Sequence, residues 1–284
     1  MSEKNPKPRK SNESLYNRDI VRKLTAYNKS KEDTYEEQID YIDSYINSPM
    51  YKKRLVNVLS KDVDNSGNFL NPMAQEVGAK KGENVLNVAK RIIAMQNKSI
   101  QDASYNISNS LHYGAAGQSV PTFDKNKNFI NSVVSVLPRE VDELKSTVAH
   151  EASHASTTNL NPYSSVFAKK YVSSRIKNPF DGFDKSWFNY ASQPTELKAR
   201  IDGVRYILNK SGIYDAGKEE FNESHYRKIN DILKNPSSYD LSPSDIRDLK
   251  NLTMDAGGSG KENFIWLMNN IAKNKSNTDN SGLS

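Results

Sequence analysis

Cysteine is absent from this 284-residue chain. That excludes a disulfide framework and any thiolate-held metal, and it leaves cysteine silent on redox compartment. Long apolar runs are missing as well. No stretch of about 18 apolar residues occurs, so no segment is expected to span a membrane. The N-terminus lacks the apolar core of a secretory signal, so ordinary secretion is not expected. Hydrophobic residues make up only 36% of the chain, low for a compact enzyme, and polar tails account for part of the deficit. Histidine is scarce, with four in all, so their placement carries information.

A net charge of +6 raises the question of nucleic acid. Part of the excess is crowded into the first residues, where Lys4, Lys7, Arg9 and Lys10 surround Pro6 and Pro8. Elsewhere lysines alternate with acids, as at Lys218, Glu219 and Glu220. No basic stripe with interleaved aromatics is present, and the expectation is a solvated surface without a nucleic-acid partner.

Two of the four histidines fall within Thr147–Ala155, which places His150, Glu151 and His154 in the order His-Glu-x-x-His. On a helix, residues four apart lie one above the other, so both imidazoles converge on one point. Glu151 projects from a neighbouring face, within reach of a water held at that point. Neutral imidazole nitrogens are what zinc prefers, with one position left open if the ion is catalytic. The flanks read as the required helix. Pro138, Glu140, Asp142 and Glu143 suit a helix start, and Val141, Leu144, Val148, Ala152 and Ala155 form an apolar stripe. His150 lies about 200° round from Val148, so the histidines are expected to point away from the buried face.

A third ligand must come from elsewhere. Thr157 and Leu160 occupy the positions where the extended metzincin motif has Gly and His, which excludes that class. The better source is Glu196, in the first turn of a helix opened by Pro194 and Thr195 and striped by Leu197, Ile201, Val204 and Leu208. A His-Glu-x-x-His helix followed by a glutamate on a later helix resembles the gluzincin type of zinc metallopeptidase. The resemblance covers these two helices. It departs from the thermolysin-like pattern four residues after the glutamate, where Asp is replaced by Arg200; Asp202 is the nearest acid. That leaves the groups orienting the ligating histidines undefined.

The resemblance implies a zincin-like core, with an edge strand beside the motif helix on which an extended peptide adds its own backbone. The sequence supplies one. Asn128–Val136 is rich in β-branched residues, and with Ser119–Phe123 across a polar turn it predicts an antiparallel hairpin. The implied reaction is peptide-bond hydrolysis. His150, His154 and Glu196 hold Zn²⁺, and Glu151 is the general base for the attacking water. Tyr163 and Tyr190 are candidates to stabilise the oxyanion.

The expected fold class is α+β, mainly α-helical. Residues 1–15 read as a disordered basic tail and 16–110 as a helical N-terminal region. The catalytic core falls at 111–210, a further helical region at 211–272 and a disordered tail at 273–284. Within the first region, Ser48-Pro49 restarts a helix. Asp62–Asn68 has a calcium-loop look but lacks the downstream glutamate, and is read as a turn. The aromatic-rich stretch 159–189 is expected to include a helix at 163–176. Gly257–Gly260 lacks the Lys-Ser/Thr ending of a phosphate loop and is read as a hinge.

A second expectation is a structural role that keeps the zincin-like fold. The segment Tyr45–Leu55, with the Asn- and Lys-rich composition, is similar to virion-associated proteins of phages infecting Bacteroidetes-type hosts. That resemblance implies a virion or tail-assembly partner, and a cytoplasmic or virion-associated location. A third, a nucleic-acid-binding protein with incidental histidines, has no motif behind it.

Overall fold

A computed structural model describes residues 35–107, 117–126, 129–136, 144–158, 194–239, 241, 243–255 and 260–270. It is mainly helical, with one small mixed sheet. Helix α1 (Tyr35–Ile46) presents Ile39, Ile42 and Ile46 at helical spacing, all buried. It ends where Ser48 caps the next helix, accepting the Tyr51 N–H on its hydroxyl at 3.1 Å, with Pro49 in the first turn. Helix α2 (Pro49–Lys61) then buries Tyr51, Leu55, Val58 and Leu59.

Asp62–Asn68 is a turn. Gly67 takes φ +84°, and Asp64 accepts the N–H groups of Ser66 and Asn68 on one carboxylate oxygen. A short helix α3 (Pro72–Glu76) leads to α4 (Val85–Asp102). Asn84 caps α4, and Val88, Ala89, Ile92 and Ile100 form its buried face.

The strands are β1 (Ser104–Ile107), β2 (Gly117–Phe123) and β3 (Phe129–Val136), in the order β1-β3-β2. The predicted hairpin is β2–β3, antiparallel, with Ser119 opposite Val134. The antiparallel pairing expected of the hairpin does not extend to the whole sheet. β1 pairs with β3 in parallel, Tyr105 opposite Val134. A strand lying more than twenty positions upstream leaves no mark on the local alternation of β3. Val134, Val136 and Tyr105 are buried on one face. On the other face Asn131 donates to the Ser104 hydroxyl at 3.2 Å and to the Asp102 carbonyl at 3.3 Å, fixing the junction with α4.

Helix α5 (Leu144–Thr158) carries the motif and packs against α1, α4, β2 and α6 (Pro194–Lys210). The expected first turn at 138–143 lies outside the described residues, as do the 163–176 segment and the Gly257–Ser259 part of the hinge. Three more helices follow, α7 (Glu223–Lys234), α8 (Pro243–Asp255) and α9 (Gly260–Asn269). One hydrophobic cluster runs from Ile39 to Met268 and joins the helices on both sides of the motif. Among the described residues no helix is long and apolar enough to cross a membrane.

Candidate metal centre

The expectation that the histidines face away from a single buried stripe holds only in part. Val148, Ala149, Ala152 and Ala155 are buried, but so are Ser146, Glu151, Ser153 and Ser156. Helix α5 is thus enclosed on nearly every side, leaving His150 and His154 half-buried. Its small side chains permit this. A Cβ on Gly203 of α6 would lie 3.6 Å from Ser146 Cβ and 4.0 Å from His150 Cβ, so the two helices approach closely.

At this crossing three predicted ligands meet. His150 Nε2 is 3.2 Å from Glu196 Oε1, and His154 Nε2 is 3.1 Å from Glu196 Oε2. The two Nε2 atoms are 3.2 Å apart, and the rings stand edge to face with an interplanar angle of 77°. Protons alone satisfy at most two of these three contacts. If both rings donate to Glu196, two N–H donors face each other. If one ring donates to the other, a carboxylate contact is left without its proton.

A cation at the centre satisfies all three. Ligand atoms about 2.0–2.1 Å from a tetrahedral ion stand about 3.3 Å apart, close to the spacings here. Among the described residues, His150, His154 and Glu196 are the group that can hold a metal ion.

Glu196 is only 5% exposed. Burial works against its charge, yet the bonds and charges of the two imidazoles hold its carboxyl well below the usual range. Burial likewise works against a charged His150, but Glu196 and Glu151 push that ring's pKa up. Glu151 is not one of the three converging groups. It is 6% exposed, and burial raises its pKa against the opposing pull of His150 and His154. A buried carboxyl shifted towards neutrality, one residue from His150, has the properties of a proton acceptor.

No family model, curated protein or solved structure matches the chain. The chemistry of the site therefore rests on its own geometry.

Three contacts around the ligands are not written in the motif. Gly117, at the head of β2, lies so close to Glu151 that a Cβ would come within 2.8 Å of Glu151 Cγ and 3.0 Å of its Oε1. A glycine inside a strand pattern is the signal for such an approach. Gln38 of α1, fully buried, accepts the backbone N–H of Ala149 at 3.0 Å, one residue before His150. Asp202 accepts from the Ser153 hydroxyl at 2.6 Å, from Lys198 Nζ at 2.8 Å and from Arg205 at 2.7 Å. Asp202 thus braces α5 against α6 through Ser153, and the acid nearest to Glu196 serves the helix pair.

Of the other predicted site residues, Tyr163 and Tyr190 lie outside the described residues, as does His112. His225 serves a helix cap, its Nδ1 accepting the Asn222 N–H at 3.1 Å.

Proposed function

We propose that this protein is a zinc-dependent peptidase of the zincin-like, gluzincin type. The observation that carries the reading is the mutual spacing of His150, His154 and Glu196, each 3.1–3.2 Å from the next, with Glu151 buried on the same helix. Two imidazoles and a carboxylate suit zinc, and the same donor set also serves iron oxygenases. The adjacent carboxyl of Glu151, with its raised pKa, favours hydrolysis over redox chemistry.

His150, His154 and Glu196 hold the ion. Zinc there supplies a Lewis acid that makes water nucleophilic near neutral pH and polarises a carbonyl. Glu151 accepts a proton from the attacking water on its carboxylate and delivers it to the departing amine nitrogen. Burial favours that transfer, because it raises the affinity of Glu151 for the proton while the neighbouring imidazoles keep it ionisable.

Strand β2 supports a peptide substrate. Among the described residues only β3 pairs with it. Pro121 has no N–H to give to β3, so its nitrogen faces outward, and Gly117 and Ser119 share that register. An extended peptide pairing with this edge passes beside Gly117, hence beside Glu151.

The test is zinc per chain by elemental mass spectrometry on tag-free, dialysed protein, followed by cleavage of an unfolded protein substrate. About one zinc and cleavage lost in Glu151→Gln support the reading. One zinc without cleavage would move it to a structural, virion-type component that keeps the fold. No zinc after reconstitution would end it.

A further inference from the structure

We infer that Val120 selects an apolar side chain of the substrate, about three residues before the cleaved bond. This rests on the peptidase reading and deepens it.

Strand β2 reads Gly-Gln-Ser-Val-Pro-Thr-Phe and carries no charged residue. Edge strands are ordinarily blunted by charged side chains, which discourage pairing with another chain. Val120 lies in the middle of this strand, opposite half-buried Val133, yet is 44% exposed. Asn131 and Ser135, two positions either side of Val133, share its face of the sheet and are buried. That face is thus covered over β3 and open over β2, and Val120 forms a ledge at its rim.

The backbone fixes what can meet this ledge. Gly117, Ser119 and Pro121 turn their backbone groups outward, so Val120, one position out of that register, is bonded to β3. A residue added opposite Val120 therefore falls at a non-hydrogen-bonded position, where facing side chains come closest. Antiparallel pairing is the more stable sense, and it sets the C-terminal part of a peptide at Gly117 and its N-terminal part at Phe123. Gly117 is the end that touches Glu151. The residue opposite Val120 then stands upstream of the one at Gly117, about 10 Å back along the peptide. An apolar side chain there removes Val120 from water, and a polar one gives up its own hydration for no partner.

A second copy of the chain fits this edge less well. A symmetric antiparallel pair that covers Val120 brings Pro121 of both copies into the ladder, so the missing N–H is lost twice. A substrate strand meets it once.

The experiment digests a mixture of unfolded proteins with the zinc-loaded full chain and maps the cleaved bonds by mass spectrometry. Val, Ile, Leu and Phe are expected to be enriched about threefold at one position, about three residues before the bond. Val120→Lys is expected to retain zinc, lose that enrichment and favour Asp and Glu at the same position, because opposite charges pair across strands. Val120→Ser should lose the enrichment without gaining the acidic preference. Sedimentation of the full chain reads its oligomeric state. Cleavage without enrichment at that position, or an apolar preference surviving in Val120→Lys and Val120→Ser, overturns the inference and leaves the peptidase reading standing. A dimer that Val120→Lys dissociates does the same, since a second copy then occupies the edge. Zinc without any cleavage, or no zinc, overturns both.

Discussion

Ser153 and Asp202 join the helices that carry His154 and Glu196 through a 2.6 Å hydrogen bond, one residue before His154 on one side and six after Glu196 on the other. The same carboxylate accepts from Lys198 and Arg205. Arg205 in turn donates to the carbonyls of Met268 and Asn270 at the end of α9, at 2.9 and 3.0 Å. One buried acid therefore links the motif helix to the last described helix. Its worth depends on its being charged.

That charge gives a pH signature. Burial opposes ionisation of Asp202, but Lys198 and Arg205 outweigh it and lower the pKa from 3.8 to about 2. A carboxylate with a depressed folded-state pKa stabilises the fold above its unfolded value and loses that contribution as pH falls through the folded one. Asp202 should thus contribute about 2 kcal/mol above pH 4, declining between pH 4 and pH 2. Urea denaturation at pH 2.5, 4 and 7 measures the slope. Asp202→Asn should flatten its share of that slope. It should also cost about 3–5 kcal/mol at pH 7, because Lys198 and Arg205 then stay buried without a counter-charge. An unchanged midpoint at pH 7 would remove Asp202 from this role.

Gly117→Ala tests the contact between the edge strand and Glu151. The added methyl would sit 2.8 Å from Glu151 Cγ and 2.9 Å from Thr147 Cγ2, so strand or helix must shift. Overpacking of this kind costs about 1–3 kcal/mol. The proposed metal ligands come from α5 and α6, so zinc content should be preserved. Hydrolysis should fall at least tenfold, because Glu151 is displaced from the strand that would carry the substrate. A variant with normal turnover would show that the approach of Gly117 matters for packing alone.

Gln38 is a second support. Its side chain reaches from α1 to the backbone N–H of Ala149, next to His150. Replacing it with methionine keeps the volume and removes the acceptor. The expected cost is about 1–2 kcal/mol, the usual range for loss of a buried hydrogen bond. Zinc affinity, read by competition with a chromophoric chelator, should weaken as His150 loses its fixed position. Unaltered affinity with lowered stability would confine Gln38 to the core.

The meeting of His150, His154 and Glu196 was legible because helical spacing alone brings the two histidines together, and Glu196 opens a helix with its own apolar stripe. The restart at Ser48-Pro49 and the β2–β3 hairpin were legible for the same local reason. Gln38 was not, since a polar residue beside Ile39 reads as solvent-facing. The enclosure of α5 was hidden as well. Its buried Ser146, Ser153 and Ser156 look neutral on any hydrophobic pattern, and only the approach of α6 makes their small size meaningful. The parallel pairing of β1 depends on contacts between distant segments, which no local window contains.

Metal binding should appear directly in stability. An ion that binds the folded chain and not the unfolded one stabilises by mass action, by about 2.7 kcal/mol at a hundredfold excess over its dissociation constant. Thermal unfolding of wild-type protein should therefore shift upward on adding zinc and downward on adding a chelator. Glu151→Gln should respond as wild type does, because Glu151 is one step removed from the ligand cluster. His154→Ala and Glu196→Gln should lose the response, each removing one of three converging ligand atoms. In the metal-free state the variants should differ from one another. Glu196→Gln relieves a buried carboxylate but takes from the two imidazoles the carboxylate they share, whereas His154→Ala leaves Glu196 with His150 alone. A zinc-dependent shift that persisted in His154→Ala and Glu196→Gln alike would place the ion elsewhere in the molecule, and Glu151 would then have no water to activate.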